Sequence, residues 1–128
     1  LCMQAEIRQM LEQGGGRIVN MASATSRNTY PNASPYVTSK FAVAGLTRTV
    51  AVEYADRDIR INAICPGNVA TPLVVSLVDD LSVLATKHAI KRLGTPEEVA
   101  NGVMFLASDL SSFSTGSLLE VDGGWNAI

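Results

Sequence analysis

Two short, uninterrupted apolar runs flank one long helical stretch, and that order leaves few folds open. The first run is Gly16-Arg17-Ile18-Val19-Asn20-Met21-Ala22, entered from a glycine cluster, and the second is Arg60-Ile61-Asn62-Ala63-Ile64-Cys65. Neither carries a helical period, so each reads as a buried strand bounded by turns. Residues 35–55 between them read as a helix. Around this unit the pattern predicts a helix over 1–13, a helix over 96–107 and a strand over 116–121. Strands alternating with helices predict an α/β fold whose parallel strands are joined by right-handed crossovers. The length, 128 residues, allows one domain.

The helix starts are well marked. Ser34 is expected to cap the long helix with Pro35 at its first position. Thr95-Pro96-Glu97-Glu98 reads as a capping box with proline in the same slot. The helix at 35–55 is apolar on two sides: Val43, Leu46, Val50 and Tyr54 line one, while Phe41, Gly45 and Val52 line the other among Ala44 and Ala51. One side can lie on the sheet; the other needs a further layer, either another subunit or more of its own chain.

Chemistry is suggested first by Tyr36 and Lys40, four residues apart on one helical face. An ammonium about 4 Å from a phenol contributes on the order of 4 kcal/mol at an effective dielectric of ~20. That is about what moves a tyrosine from its free value near ~10 toward neutrality. Tyr36 could therefore serve as a general acid or base. Ser23 falls where the first strand ends, at the carboxyl edge where open parallel sheets bind ligands, and could donate to a carbonyl oxygen; without context it is a turn serine. Pro66-Gly67 breaks the second strand at the same edge. Thr71 beyond it could hydrogen-bond an amide ligand, or could simply precede Pro72.

These pieces together resemble the short-chain dehydrogenases/reductases. The matching segments are G-R-I-V-N-M-A-S (16–23), Y-V-T-S-K (36–40), R-I-N-A-I-C-P-G-N-V-A-T-P (60–72), R-L-G-T-P-E-E-V-A (92–100) and F-L-A-S-D…T-G…V-D-G-G (105–124). The likeness covers essentially the whole chain. It implies a partial doubly wound, Rossmann-like parallel sheet, the carboxyl-terminal half only, with three strands and flanking helices. It implies oxidation of a secondary alcohol, or reduction of a ketone, with NAD or NADP. By resemblance Tyr36 transfers the proton, Lys40 lowers its pKa and holds the nicotinamide ribose, and Ser23 orients the substrate carbonyl. Pro66, Gly67, the backbone at Val69 and the Thr71 hydroxyl look like the contacts to the nicotinamide carboxamide. Asn20 reads as structural. Ser26 stands where many relatives have glycine, a change to the local turn. Relatives also use the long helix and the one before it as a subunit interface, which implies a homo-oligomer, a tetramer or dimer.

Other features of the family have no counterpart here. Gly14-Gly15-Gly16 follows a helix and precedes a strand, the reverse of a phosphate-binding turn. The residue that separates NAD from NADP and the family's asparagine-containing strand are also missing. The chain opens on Leu1 with an uncapped apolar stripe (Met3, Ile7, Met10 and Leu11). The expectation is thus the carboxyl-terminal part of a longer enzyme, inactive as an isolated piece; the alternative is a non-catalytic fragment acting as an oligomerisation or structural module. Residues 72–91, rich in leucine and valine, read as a mobile substrate loop or lid, with Asp79-Asp80 on its solvated side.

Composition narrows the remaining classes. A net charge of −2 gives no electrostatic footprint for nucleic acid. No apolar run approaches the ~20 residues of a membrane span. One histidine, His88, expected in an ordinary loop role, and two distant cysteines cannot form a zinc site. Cys2 in a helix and Cys65 in a strand fit a reduced, cytoplasmic setting better than a disulfide. The partner expected is a small alcohol or carbonyl compound.

Overall fold

A computed structural model describes all 128 residues. In chain order it contains α1 (Cys2–Gln13), β1 (Gly16–Met21), α2 (Ser34–Tyr54), β2 (Ile59–Pro66), α3 (Pro72–Leu77), α4 (Leu81–Ala85), α5 (Pro96–Ala107) and β3 (Leu118–Val121). Single 3₁₀ turns at Ala24–Ser26 and Trp125–Ala127 follow β1 and β3. The three strands form one parallel sheet in the order β1-β2-β3. The α/β class and the strands therefore stand as the apolar runs predict, within a residue or two at each end.

β2 is the central strand, and it is buried on both faces. Ile59, Ile61, Ala63 and Cys65, all fully buried, point to one face. There Ile7 of α1, Ile18 of β1 and Ala51 of α2 complete one core cluster, while Ala22, Ala44 and Leu118 complete a second. The alternate residues of β2 face α5. Gly102 of α5 sits so close that a Cβ there would lie 2.4 Å from Ile64 Cδ1 and 3.1 Å from Val121 Cγ2. A side chain at this spot would have to displace the end of Ile64, so glycine lets the helix lie close to the sheet. Arg60, on the same face, donates to the carbonyls of Leu106, Ser108, Ser111 and Ser114. A cation thus closes the carboxyl end of α5, where the helix leaves its last carbonyls unpaired.

The start of α2 differs from expectation. Ser34 is its first helical residue rather than its cap, Ala33 precedes it without any side-chain cap, and Pro35 lies in the first turn. The stripe turned to the sheet, left open by the two apolar sides, is Ala44, Thr47 and Ala51, at 5%, 0% and 0% exposure. Small side chains let the helix axis lie close to β2; Val43, Val50 and Tyr54 pack along the flanks of that contact, and Leu46 is half exposed. Phe41 and Val52 are exposed.

Residues 72–91 carry α3 and α4 and are not a bare loop. Thr71 caps α3 by accepting the Val74 N–H at 3.3 Å, and Asp80 caps α4 by accepting the Ser82 N–H at 2.9 Å. Asp79 and Asp80 are exposed. The Thr95–Glu98 capping box is present in full. No helix is long and apolar enough to cross a membrane, and no cluster of three metal-ligating side chains occurs.

Candidate active site

The carboxyl ends of β1 and β2 open into a cavity of about 430 Å³. Ser23 and Thr25 reach it from the turn after β1, and Tyr36 from the first turn of α2. Gly67, Asn68, Val69 and Thr71 reach it from the turn after β2, and Trp125 from beyond β3. Each strand stops at the same edge because the strands are parallel, so segments distant in sequence converge there.

Ser23 is buried and caps the 3₁₀ turn. Its Oγ accepts the Thr25 N–H at 3.2 Å and the Thr25 hydroxyl at 3.0 Å. With both lone pairs engaged, the Ser23 hydroxyl keeps one function, to donate. Ser26 receives the Ser23 N–H at 3.2 Å and donates to the Lys40 carbonyl at 3.1 Å. The serine that departs from the family's glycine thus ties the end of β1 to α2.

Tyr36 is 49% exposed. The Lys40 ammonium stands 5.6 Å from the centroid of its ring and donates to the Met21 carbonyl at 3.0 Å. The i, i+4 spacing therefore does bring the two together at the end of β1. Lys40 is beside the cavity rather than in its wall, and so is Pro66, the last residue of β2. Asn20 donates to Thr47 Oγ1 at 2.9 Å, and Thr47 donates on to the Val43 carbonyl. Asn20 therefore clamps β1 to α2, the structural role expected of it.

The turn after β2 is held from three directions. Ala70 N–H donates to the Gly94 carbonyl and Gly94 N–H to the Asn68 carbonyl, each at 2.9 Å. Gly67 N–H donates to the Val121 carbonyl at 3.1 Å. A Cβ on Gly67 would sit 2.5 Å from His88 Cε1 and 3.0 Å from the Asp122 backbone, so glycine is required.

His88, expected in an ordinary loop role, is 1% exposed. Its Nδ1 lies 2.6 Å from the Asp122 carbonyl. A carbonyl only accepts, so Nδ1 carries the proton and Nε2 accepts the Asn68 N–H at 3.3 Å. The ring also meets Trp125 edge-on at 5.6 Å. Asp122 accepts the N–H groups of Gly124 and Asn126, both at 2.9 Å, and Asn126 donates to the Ala24 carbonyl at 3.0 Å. The turn carrying Trp125 is thereby fastened to the Ser23 segment. Tyr30, Asn68, His88 and Trp125 were not legible as site residues. Only Asn68 and Trp125 had a local signal, being within or next to the Pro-Gly and Val-Asp-Gly-Gly turns. Cys65 lies behind Ser23, and burial pushes its thiol up, away from reactivity.

The profile of a family described as enoyl-(acyl carrier protein) reductase matches residues 1–126. The chain belongs to the short-chain dehydrogenase/reductase family. Among its relatives, a cis-4-hydroxycyclohexanecarboxylate dehydrogenase of Sinomonas cyclohexanicum is 45% identical over 129 residues, spanning 100% of this chain and 52% of the relative. A cyclohexanol dehydrogenase of Acinetobacter sp. (strain SE19) is 46% identical over 125 residues, spanning 98% and 49%. A solved structure, ElxO with NADP bound, superposes with a TM-score of 0.94 at 36% identity, spanning 99% and 53%. The chain thus spans about half the length of the family members it matches. Its three-stranded parallel sheet is part of the family's Rossmann-type architecture.

Proposed function

We propose that the protein carrying this chain is an NAD(P)-dependent oxidoreductase that interconverts a secondary alcohol and a ketone. The observation that carries this reading is the convergence of Ser23, Tyr36, Gly67, Val69 and Thr71 on one cavity. The relatives' names, dehydrogenases of alcohols on six-membered rings, and the NADP of a structural neighbour support it.

The residues present fit the nicotinamide end of such a cofactor. Asn68 Nδ2, in the cavity wall, is buried with no acceptor. Thr71 Oγ1 accepts the Val74 N–H and keeps its own proton to donate. Both suit a carboxamide oxygen, against the turn formed by Pro66, Gly67 and Val69. Lys40 retains two N–H groups beyond its bond to Met21, enough for a ribose hydroxyl. A nicotinamide bound there supplies or takes up the hydride. Ser23 donates to the substrate oxygen and fixes its direction. Tyr36 gives its proton to that oxygen during reduction and takes it from the alcohol during oxidation. Residues 72–91, with Leu73, Val75 and Leu77 exposed beside the cavity, serve as the substrate-covering segment.

Two further readings belong here. The outer side of α2, with Phe41, Leu46 and Val52 exposed, together with Leu11 of α1, supports assembly into a dimer or tetramer. The two free thiols, Cys2 and Cys65, support a cytoplasmic setting.

Tyr36→Phe in the full-length protein is expected to lower kcat by a factor on the order of 10²–10⁴ while the cofactor still binds. Steady-state kinetics alongside cofactor titration decide it; near-normal turnover in the variant overturns the role given to Tyr36.

A further inference from the structure

One cation near the cavity has no ionic partner within this chain. Lys87 is half-buried, and its ammonium lies 5.1 Å from the centroid of the Tyr30 ring, itself part of the cavity wall. The chain's ion pairs are Arg17–Asp109, Arg27–Glu120, Arg57–Asp56 and Arg92–Glu98, and Lys87 enters none of them. Nor does its side chain donate a hydrogen bond within the chain. An ammonium with no carboxylate beside it is available to pair with an anion brought from outside.

The surroundings are arranged to admit one. No aspartate or glutamate lines the cavity. Lys40 is bonded to the Met21 carbonyl on the far side of Tyr36, and Lys87 is the cation over the Tyr30 ring of the cavity wall. Its backbone cannot drift, because the next residue, His88, is held through both ring nitrogens. Beside it, Tyr30 and Trp125 meet edge to face at 6.3 Å, and with Ala33 and Val74 they give the cavity an apolar wall. Ring faces of this kind suit a flat or cyclic hydrocarbon body.

We infer that the substrate is a hydroxy acid: a secondary alcohol whose apolar body rests on Tyr30 and Trp125 while its carboxylate is taken by Lys87. This rests on the reading of the cavity as the place of alcohol–ketone interconversion. The carboxylate takes no part in bond making; the same hydride and the same proton leave the carbinol as they would in a neutral alcohol. Lys87 supplies binding that is equal in the ground and transition states, so its loss raises KM rather than lowering kcat.

The test compares cis-4-hydroxycyclohexanecarboxylate with cyclohexanol, which differ by the carboxylate, in the full-length protein. In Lys87→Gln the ratio of kcat/KM for the acid over the neutral alcohol is expected to fall about tenfold, through KM, and Lys87→Arg is expected to restore most of it. An unchanged ratio in Lys87→Gln overturns the inference. Trp125 is the single tryptophan, so its emission reports occupancy of the wall independently of turnover. Cyclohexanecarboxylate, which has no hydroxyl, is expected to shift that emission, with an affinity about tenfold weaker in Lys87→Gln. If that weakening appears while neither alcohol is turned over, the anion site stands and the oxidoreductase reading falls. If both alcohols are turned over but cyclohexanecarboxylate binds both forms equally or not at all, the oxidoreductase reading stands and the anion site falls.

Discussion

The Ser23 hydroxyl proton is left free because Thr25 occupies both lone pairs of its oxygen, and His88 accepts because the Asp122 carbonyl fixes the proton on its other nitrogen. In each case a neighbour decides what a side chain can do. Ser23, Tyr36, Lys40 and Thr71 are legible in sequence because each lies in a short local motif. Tyr30, His88 and Trp125 are not, because their roles arise only when three separate segments meet. His88 shows what depends on such a meeting. His88→Ala leaves the Asn68 N–H and the Asp122 carbonyl without their partner in a closed site, at an expected cost of about 2–4 kcal/mol. Denaturant unfolding measures that loss, and KM for the nicotinamide cofactor is expected to rise with it, since the Gly67–Asn68 turn loses its brace.

Among the elements, the strands and α5 follow their sequence signals closely, whereas α2 keeps its span but not its expected cap. Its two apolar sides left open which one meets the sheet; contact with a parallel strand favours small residues, and the stripe Ala44–Thr47–Ala51 holds that place. Hydropathy weighs size; close packing of a helix on a strand rewards its absence. The start of α5 permits a quantitative check. The Arg92 guanidinium beside Glu98, helped by the Thr95 N–H, holds the Glu98 carboxyl down to about 2, from an ordinary 4.5. A carboxyl depressed in the folded state contributes stability above its unfolded value and loses it as the pH falls through the folded one. The contribution is therefore expected to be complete above about pH 4.5 and to fade between there and about pH 2. Melting temperatures of Glu98→Gln measured across that window should show a shallower acid dependence than the parent chain, and equal slopes would remove Glu98 from the account.

At the scale of the whole molecule, β2 is enclosed on both faces and both sides, so it organises the core and delivers the turn that bounds the cavity. Neither the convergence of Ser23 with Trp125 nor the fastening of Asn126 to Ala24 could be read from local patterns, because both depend on the sheet bringing β1 and β3 to the flanks of one strand. The sequence carried the alternation of strands and helices; the strand order came with the structure. The same order has a cost. β1 and β3 each pair on one side only, so their outer N–H and C=O groups remain open to any extended peptide that offers matching ones. Prepared without the rest of the protein, residues 1–128 are expected to self-associate in a concentration-dependent way by lateral strand addition, which light scattering would detect. Flanking strands supplied in the same polypeptide should abolish it.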